Sequence, residues 1–301
     1  MRIGKYVGLR NDFLITSAKE IIDAGFEFNF NALVEIAIKT CDRNLGIGAD
    51  DLLVLGDVIN ICEGFQKISG LDEADCIMYL INPDGSVAEM TGNGSRCFAL
   101  YAREHGYGVT DNVGNYTVKI ASLAGLRTIT YNINDDEPYA KTDMGSPVFI
   151  PEAIPLVAPD NVLKVTVMGQ ERVSYAVSMG NPHWVIPLDS LDELYSEDVY
   201  QEGLDLRFDN RFPANVNVNF VFVESRSKIH ARTFERGVGE TNSCGTGMSG
   251  VVAALHSENI LDAKCEIQMR GGLAKVEIDD LANRAYLEGP MNKIADIDFV
   301  I

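Results

Sequence analysis

No CxxC pair, no HxxxH pair and no long apolar run occurs in this 301-residue chain. The six cysteines (Cys41, Cys62, Cys76, Cys97, Cys244 and Cys265) stand at irregular spacings. That argues against both a zinc motif and a disulfide framework. The four histidines, His105, His183, His230 and His256, are equally scattered, so no structural or catalytic metal is expected. In a reducing compartment most of the cysteines should be small buried hydrophobes. Apolar runs such as that over residues 51–55 are far too short to span a bilayer. The opening stretch, MRIGKYVGLRNDF, has no apolar segment between a basic start and a small-residue cleavage site. No signal peptide is expected, and the chain reads as soluble and cytoplasmic.

Basic charge is scarce too: 25 Lys and Arg face 44 Asp and Glu, a net charge of −19. Such a surface repels nucleic acid and anionic membrane, so neither is expected as a partner; it does not identify a substrate. With 46% hydrophobic residues and this length, about two domains with sizeable cores are expected. Apolar residues recur at helical spacing over Asn31–Lys39. Short β-rich runs occupy Leu52–Leu55, Cys76–Ile81, Tyr116–Ile120, Thr128–Asn132, Tyr175–Ser178, Trp184–Ile186, Phe220–Val223 and Ala274–Ile278. The pattern predicts an α/β or α+β protein with several antiparallel hairpins. No long linker divides the chain, and the best boundary is the polar cluster from Asn134 to Pro138. The expected domains are 1–137, joined by a C-terminal strand over 288–301, and 138–287.

An internal repeat carries more information than composition. Thr91-Gly-Asn-Gly begins one apolar helix and Cys244-Gly-Thr-Gly begins another, 244 − 91 = 153 residues later, about half the chain. Two similar domains facing one cleft would explain this. A helix N-terminus presents N–H groups and partial positive charge, and glycines let a bound anion approach the backbone closely. Neither copy fits the GxGxxG pattern of nucleotide sites. At a helix start, Cys244 is expected to have a lowered pKa, so that its thiolate could remove the α-proton of a bound amino acid.

Six short motifs stand in order along the chain. They are Gly8-Leu-Arg-Asn11-Asp12-Phe13; Cys41-Asp-Arg43-Asn-Leu-Gly46-Ile-Gly48-Ala-Asp50; and Asn82-Pro-Asp84-Gly85-Ser86 through Thr91-Gly92-Asn93-Gly94-Ser95-Arg96-Cys97. Then come Gly180-Asn181-Pro182-His183; Phe212-Pro213 with Asn217-Val-Asn-Phe220; and Glu235-Arg236-Gly237-Val-Gly239-Glu240-Thr241 followed by Ser243-Cys244-Gly245-Thr246-Gly247. Together they resemble the diaminopimelate epimerase family along nearly the whole chain. The resemblance implies two pseudo-symmetric domains, each a mixed sheet or barrel around a central helix. It also implies inversion of an amino-acid α-carbon with no cofactor, by two cysteines on opposite faces of that carbon. A homodimer working in lysine and cell-wall precursor supply fits the same resemblance.

By this resemblance Gly92, Asn93, Gly245 and Thr246 hold the carboxylate at the reacting centre. Asn82, Asn181, Asn217 and Arg236 hold the far end of diaminopimelate. Asn11 and Asp51 line the same cleft, and His183 and Glu235 are auxiliary groups near the reacting amine. Local alternatives exist: Asn82 could cap a turn, His183 could be a satisfied core histidine, and Arg236 could make a surface ion pair.

One departure stands out. Thr91 occupies the place of the first catalytic cysteine, opposite Cys244 in the pair. A threonine hydroxyl does not ionise near neutrality and is a poor base, but it is a good helix N-cap. Cys97 is no substitute: six residues on, at about 100° per residue, it points to another side of the helix and is expected in the core. The readings that follow are an epimerase or racemase, of diaminopimelate or another amino acid; a one-thiol dehydratase or lyase; or a binding protein that has lost turnover.

Overall fold

The computed structural model describes residues 1–63, 65, 68–136 and 138–300. Glu137, inside the expected boundary turn, lies outside the described residues. The chain divides into two compact units, Met1–Thr142 with Gly289–Ile301, and Asp143–Glu288.

In chain order the first unit contains β1 (Arg2–Gly8), β2 (Asn11–Ser17), α1 (Ala18–Asp23), α2 (Phe30–Cys41), β3 (Asp51–Gly56), β4 (Cys76–Ile81) and α3 (Gly92–Glu104). It continues with β5 (Val109–Thr110), β6 (Asn115–Ser122) and β7 (Gly125–Asn132), and β8 (Tyr139–Gly145) leads into the second unit. The second contains β9 (Val162–Val167), β10 (Gln170–Ser178), β11 (Pro182–Leu188), α4 (Leu191–Leu194), α5 (Glu197–Leu206), β12 (Asn217–Ser225), β13 (Lys228–Glu235) and β14 (Gly239–Thr241). After these come α6 (Gly245–Ser257), β15 (Lys264–Met269) and β16 (Gly272–Asp279); β17 (Arg284–Pro290) leads back, and β18 (Asn292–Asp298) pairs with β1.

The two units repeat one pairing scheme. In the first, β1 and β2 are antiparallel, β2 and β3 parallel, β3 and β4 antiparallel, β4 and β6 parallel, and β6 and β7 antiparallel. In the second, the same succession runs through β10, β11, β12, β13, β15 and β16. In each unit the second parallel step needs a crossover connection, which contains one helix: α3 between β4 and β6, and α6 between β13 and β15. The architecture is mixed α+β with an internal pseudo-repeat.

Strand burial shows how each helix becomes central. On β3 and β4, Leu53, Leu55, Met78 and Leu80 join the core around α3, while Leu52, Val54, Ile77 and Tyr79 join a second core with Leu33 and Ile36 of α2. The period of two sends alternate residues to opposite faces, and with both faces covered the strand reads as a continuous apolar run. Around α3 pack β1, β2, β3, β4, β6, β7 and β18. The helix tolerates that crowding because Gly92, Gly94, Ser95, Ala99 and Ala102 are small, and all are buried. In the second unit α6 packs on β10, β11, β12 and β16, and Trp184, Phe212, Val218, Phe220 and Phe234 form a core on the other face. Cys97 is fully buried in the first unit's core, as its helical position predicts.

Candidate active site

Each unit carries a half-site at the start of its central helix, and the two are built alike. Thr91 is extended (φ −135°, ψ 120°), and its Oγ1 accepts the Gly94 N–H at 3.2 Å. Cys244 is extended (φ −131°, ψ 112°), and its Sγ accepts the Gly247 N–H at 3.4 Å. Both residues are therefore N-caps of helices spanning 13 residues. One turn on, Ser95 donates to the Gly92 carbonyl and Ser249 to the Gly245 carbonyl, each at 3.0 Å. Each helix start offers a carboxylate the positive end of a helix dipole.

In the first half-site a directional chain of hydrogen bonds orients the polar groups. The guanidinium of Arg96, fully buried, donates to the Gly92 carbonyl (3.2 Å) and to Asn93 Oδ1 (2.5 Å). Asn93 donates to Asn11 Oδ1 at 2.6 Å, and Asn11 donates to Asp50 at 3.1 Å. Arg43 closes the far end, with two bonds to Asp12 (2.7 and 3.1 Å) and one to Asp50 (2.7 Å). Two separate sequence motifs are thereby one structural clip. Gly46 is required there, because a Cβ would lie 2.2 Å from the Lys39 carbonyl oxygen. Burial lowers Arg96 to about 10, which leaves it charged at neutrality. Asp51 opens β3 opposite Phe13 of β2. Asn82 follows β4, where its amide donates to Ser86 Oγ at 2.8 Å and its backbone closes a turn on Gly85 and Ser86. The turn role is thus present.

The second half-site gathers more of the expected residues. Parallel β11 and β12 set His183 beside Asn217, and antiparallel β13 ends at Glu235. His183 is fully buried, with Nε2 3.0 Å from both Asn181 Oδ1 and Thr246 Oγ1. Thr246 Oγ1 is 3.4 Å from Cys244 Sγ. The Cys244 thiol is also hydrogen-bonded with the Glu235 carboxyl, which accepts from Thr241 Oγ1 at 2.8 Å. Asn217 Oδ1 accepts the backbone N–H of Arg236 at 2.9 Å. The exposed Arg236 guanidinium donates to the Ala214 carbonyl at 3.2 Å.

The expectation of a lowered Cys244 pKa is overturned. Burial pushes this thiol well above its ordinary range and the adjacent Glu235 carboxylate pushes it further; the bonds from Thr246 and Gly247 only partly offset them. The local helix dipole is outweighed by desolvation and by a carboxylate nine residues away in sequence. Burial also raises Glu235, against its bonds to Thr241 and Cys244. Thiol and carboxyl are thus a hydrogen-bonded pair in which both groups are raised above their ordinary values. Burial, with the nearby Arg236 charge, lowers His183 to about 3, so its ring is neutral at working pH.

The sequence profile of the diaminopimelate epimerase family matches residues 4–150 and 175–294. The chain belongs to the diaminopimelate epimerase family. A chloroplastic diaminopimelate epimerase of Oryza sativa subsp. japonica is 34% identical over 299 residues, covering 96% of this chain and 77% of the rice protein. The diaminopimelate epimerase of Acetivibrio thermocellus is 32% identical over 298 residues, covering 98% of this chain and 96% of that protein. A hydroxyproline epimerase from Agrobacterium vitis, solved with trans-4-hydroxy-L-proline, shares the fold: TM-score 0.67, 13% identity, 99% of this chain and 91% of that one. Membership of the diaminopimelate epimerase family makes the chain an isomerase with amino-acid epimerase or racemase activity.

Within this diaminopimelate epimerase framework, three residues matter that sequence reasoning left without a role. Arg96 locks Asn93, Thr241 holds Glu235, and Asn219 lies against His183, with Nδ2 3.3 Å from Nδ1. The signal for Asn219 was the alternation Asn-Val-Asn-Phe on a strand, which puts Asn217 and Asn219 on one face. Among the described residues no group of three or more His, Cys, Asp or Glu could hold a metal, and no helix is long and apolar enough to cross a membrane.

Proposed function

We propose that this chain interconverts LL- and meso-diaminopimelate by cofactor-independent acid–base chemistry, with Cys244 as the thiol for one face of the α-carbon and Thr91 at the matching place for the other. The observation that carries the reading is the pair of like-built N-caps, one sulfur and one oxygen, at the starts of corresponding helices.

The step at Cys244 balances in protons. The thiol passes its proton to the Glu235 carboxylate, and the thiolate then takes the α-proton from the substrate. The electron pair left on carbon spreads into the α-carboxylate, which the starts of α3 and α6, at Gly92, Asn93, Gly245 and Thr246, stabilise. His183, neutral, serves the reacting amine; Asn82, Asn181, Asn217 and Arg236 take the distal amino and carboxylate groups, with Asn11 and Asp51 beside them. Thr91 delivers a proton to the opposite face poorly, since its hydroxyl is a very weak acid. Exchange at the Cys244 face therefore outruns inversion. The same reading assigns the chain to lysine biosynthesis in the cytoplasm, as a homodimer.

The test is NMR of LL- and meso-diaminopimelate in D2O with the protein. Deuterium entering the α-position, mostly with retention and slowly with inversion, is expected. No exchange, or a new alkene or keto product, overturns the reading in favour of a binder or a lyase.

A further inference from the structure

We infer that Asn219 is a positioning residue that sets the tautomer of His183 and, through it, the direction in which the Thr246 hydroxyl points its hydrogen at Cys244. The inference rests on the function proposed above and goes one shell beyond its residues.

Asn219 is fully buried on β12, and its Nδ2 lies 3.1 Å from the Asn217 carbonyl oxygen and 3.3 Å from that of Trp184. Carbonyl oxygens only accept, so the nitrogen of the amide must face them. The amide oxygen then faces Thr233, directly opposite on β13, whose hydroxyl donates to it at 2.9 Å. A flipped amide would set its oxygen against two carbonyl oxygens in a dry interior, where each unsatisfied group costs about 1–3 kcal/mol.

With the amide so held, its N–H also faces His183 Nδ1 at 3.3 Å. That ring nitrogen must accept. The ring of a neutral histidine carries one N–H, so the proton is on Nε2. Nε2–H bears on Asn181 Oδ1 and Thr246 Oγ1, and both oxygens accept. Thr246, accepting from the imidazole, keeps its own hydrogen for Cys244 Sγ, 3.4 Å away. The sulfur then has two donors, the Thr246 hydroxyl and the Gly247 N–H, aimed at the charge it acquires as a thiolate. In the other tautomer Nε2 would accept, Thr246 would donate to the ring, and the thiolate would lose one of its two donors.

Packing reserves the space for this arrangement. A Cβ on Gly247 would lie 2.8 Å from Asn219 Oδ1, so the glycine admits the asparagine beneath the first turn of α6. Asn219 touches neither Cys244 nor the first-turn N–H groups in these bonds, and acts only through the ring.

The experiment has two arms. In the first, nitrogen-15 NMR of the histidine-labelled, unsubstituted protein at neutral pH is expected to show His183 with a protonated Nε2 and an unprotonated Nδ1; His183→Gln assigns the signals. A protonated Nδ1, or a cationic ring, overturns the inference whether or not the protein turns over diaminopimelate. In the second, Asn219→Asp, which replaces the donor by an acceptor, is expected to move the ring proton to Nδ1. Asn219→Leu, which leaves no charge to bury, is expected to lower α-proton exchange about 10- to 100-fold, the usual cost of losing an outer partner that orients a functional histidine. Diaminopimelate affinity should stay within a factor of about two in Asn219→Leu. Thr246→Val should cost less when added to Asn219→Leu than it costs alone, because both act on one hydrogen bond. Additive losses, or lost affinity with an unchanged exchange rate, overturn the inference. Absence of exchange in the unsubstituted protein would refute the proposed function and leave the tautomer arm standing.

Discussion

Thr91→Cys tests the proposed function where the chain departs from its family. The structure supplies a precedent for the new residue, because α6 already begins with a cysteine cap. The φ and ψ of Thr91 and Cys244 differ by only a few degrees, so the backbone at position 91 accepts cysteine unchanged. The cap bond weakens rather than vanishes, from oxygen at 3.2 Å to sulfur at about the 3.4 Å of Cys244. Full loss of a threonine cap costs about 0.5–2 kcal/mol, so about half that is expected here. The lost methyl adds up to about 0.8 kcal/mol. A melting point lower by roughly 1–7 °C follows for a unit of this size. Against this, a positioned acid or base contributes about 10²–10⁴-fold, or about 3–5 kcal/mol of barrier, and the substitution should recover much of it. The assay is α-proton exchange and stereochemical yield with LL- and meso-diaminopimelate in D2O, under reductant, for both proteins. A rise in inversion relative to retained exchange is expected. A variant that keeps its helix content and cooperative melting yet shows no gain refutes the reasoning.

Other outcomes follow from single sites. Arg236→Lys exchanges a planar fork for a point charge and should weaken diaminopimelate binding about tenfold; unchanged affinity by calorimetry would remove Arg236 from the distal carboxylate. His183, held at about 3 against 6.5 in the unfolded chain, cannot take the proton that the unfolded chain binds in acid. Stability should therefore fall as pH drops from 6.5 towards 3, by up to about 5 kcal/mol from this group. Urea unfolding of His183→Gln should show a shallower decline over that window, and equal slopes would contradict the burial argument. Gly46→Ala drives a methyl into the carbonyls of Lys39 and Thr40 at the end of α2 and should cost about 1–3 kcal/mol, read as a lower urea midpoint.

Local chemistry was legible in the sequence. Glycine turns with capping residues predict helices after Thr91 and Cys244, and α3 and α6 begin there. Helical spacing predicts the element that becomes α2, and runs such as Cys76–Ile81 are strands, short continuous apolar runs with both faces covered. Tertiary structure decided the rest. The Cys244 thiol is harder, not easier, to ionise, since desolvation and Glu235 outweigh the dipole of its own helix. Arg43 serves Asp12, 31 residues away, rather than standing as part of a linear motif. Asn219, anonymous within Asn-Val-Asn-Phe, meets His183 across a separation of 36 residues through a parallel strand pair. Propensity and periodicity are properties of neighbours along the chain. The pKa of a buried thiol and the tautomer of a buried ring depend on groups brought within 3–4 Å by folding, and on the water that folding removes.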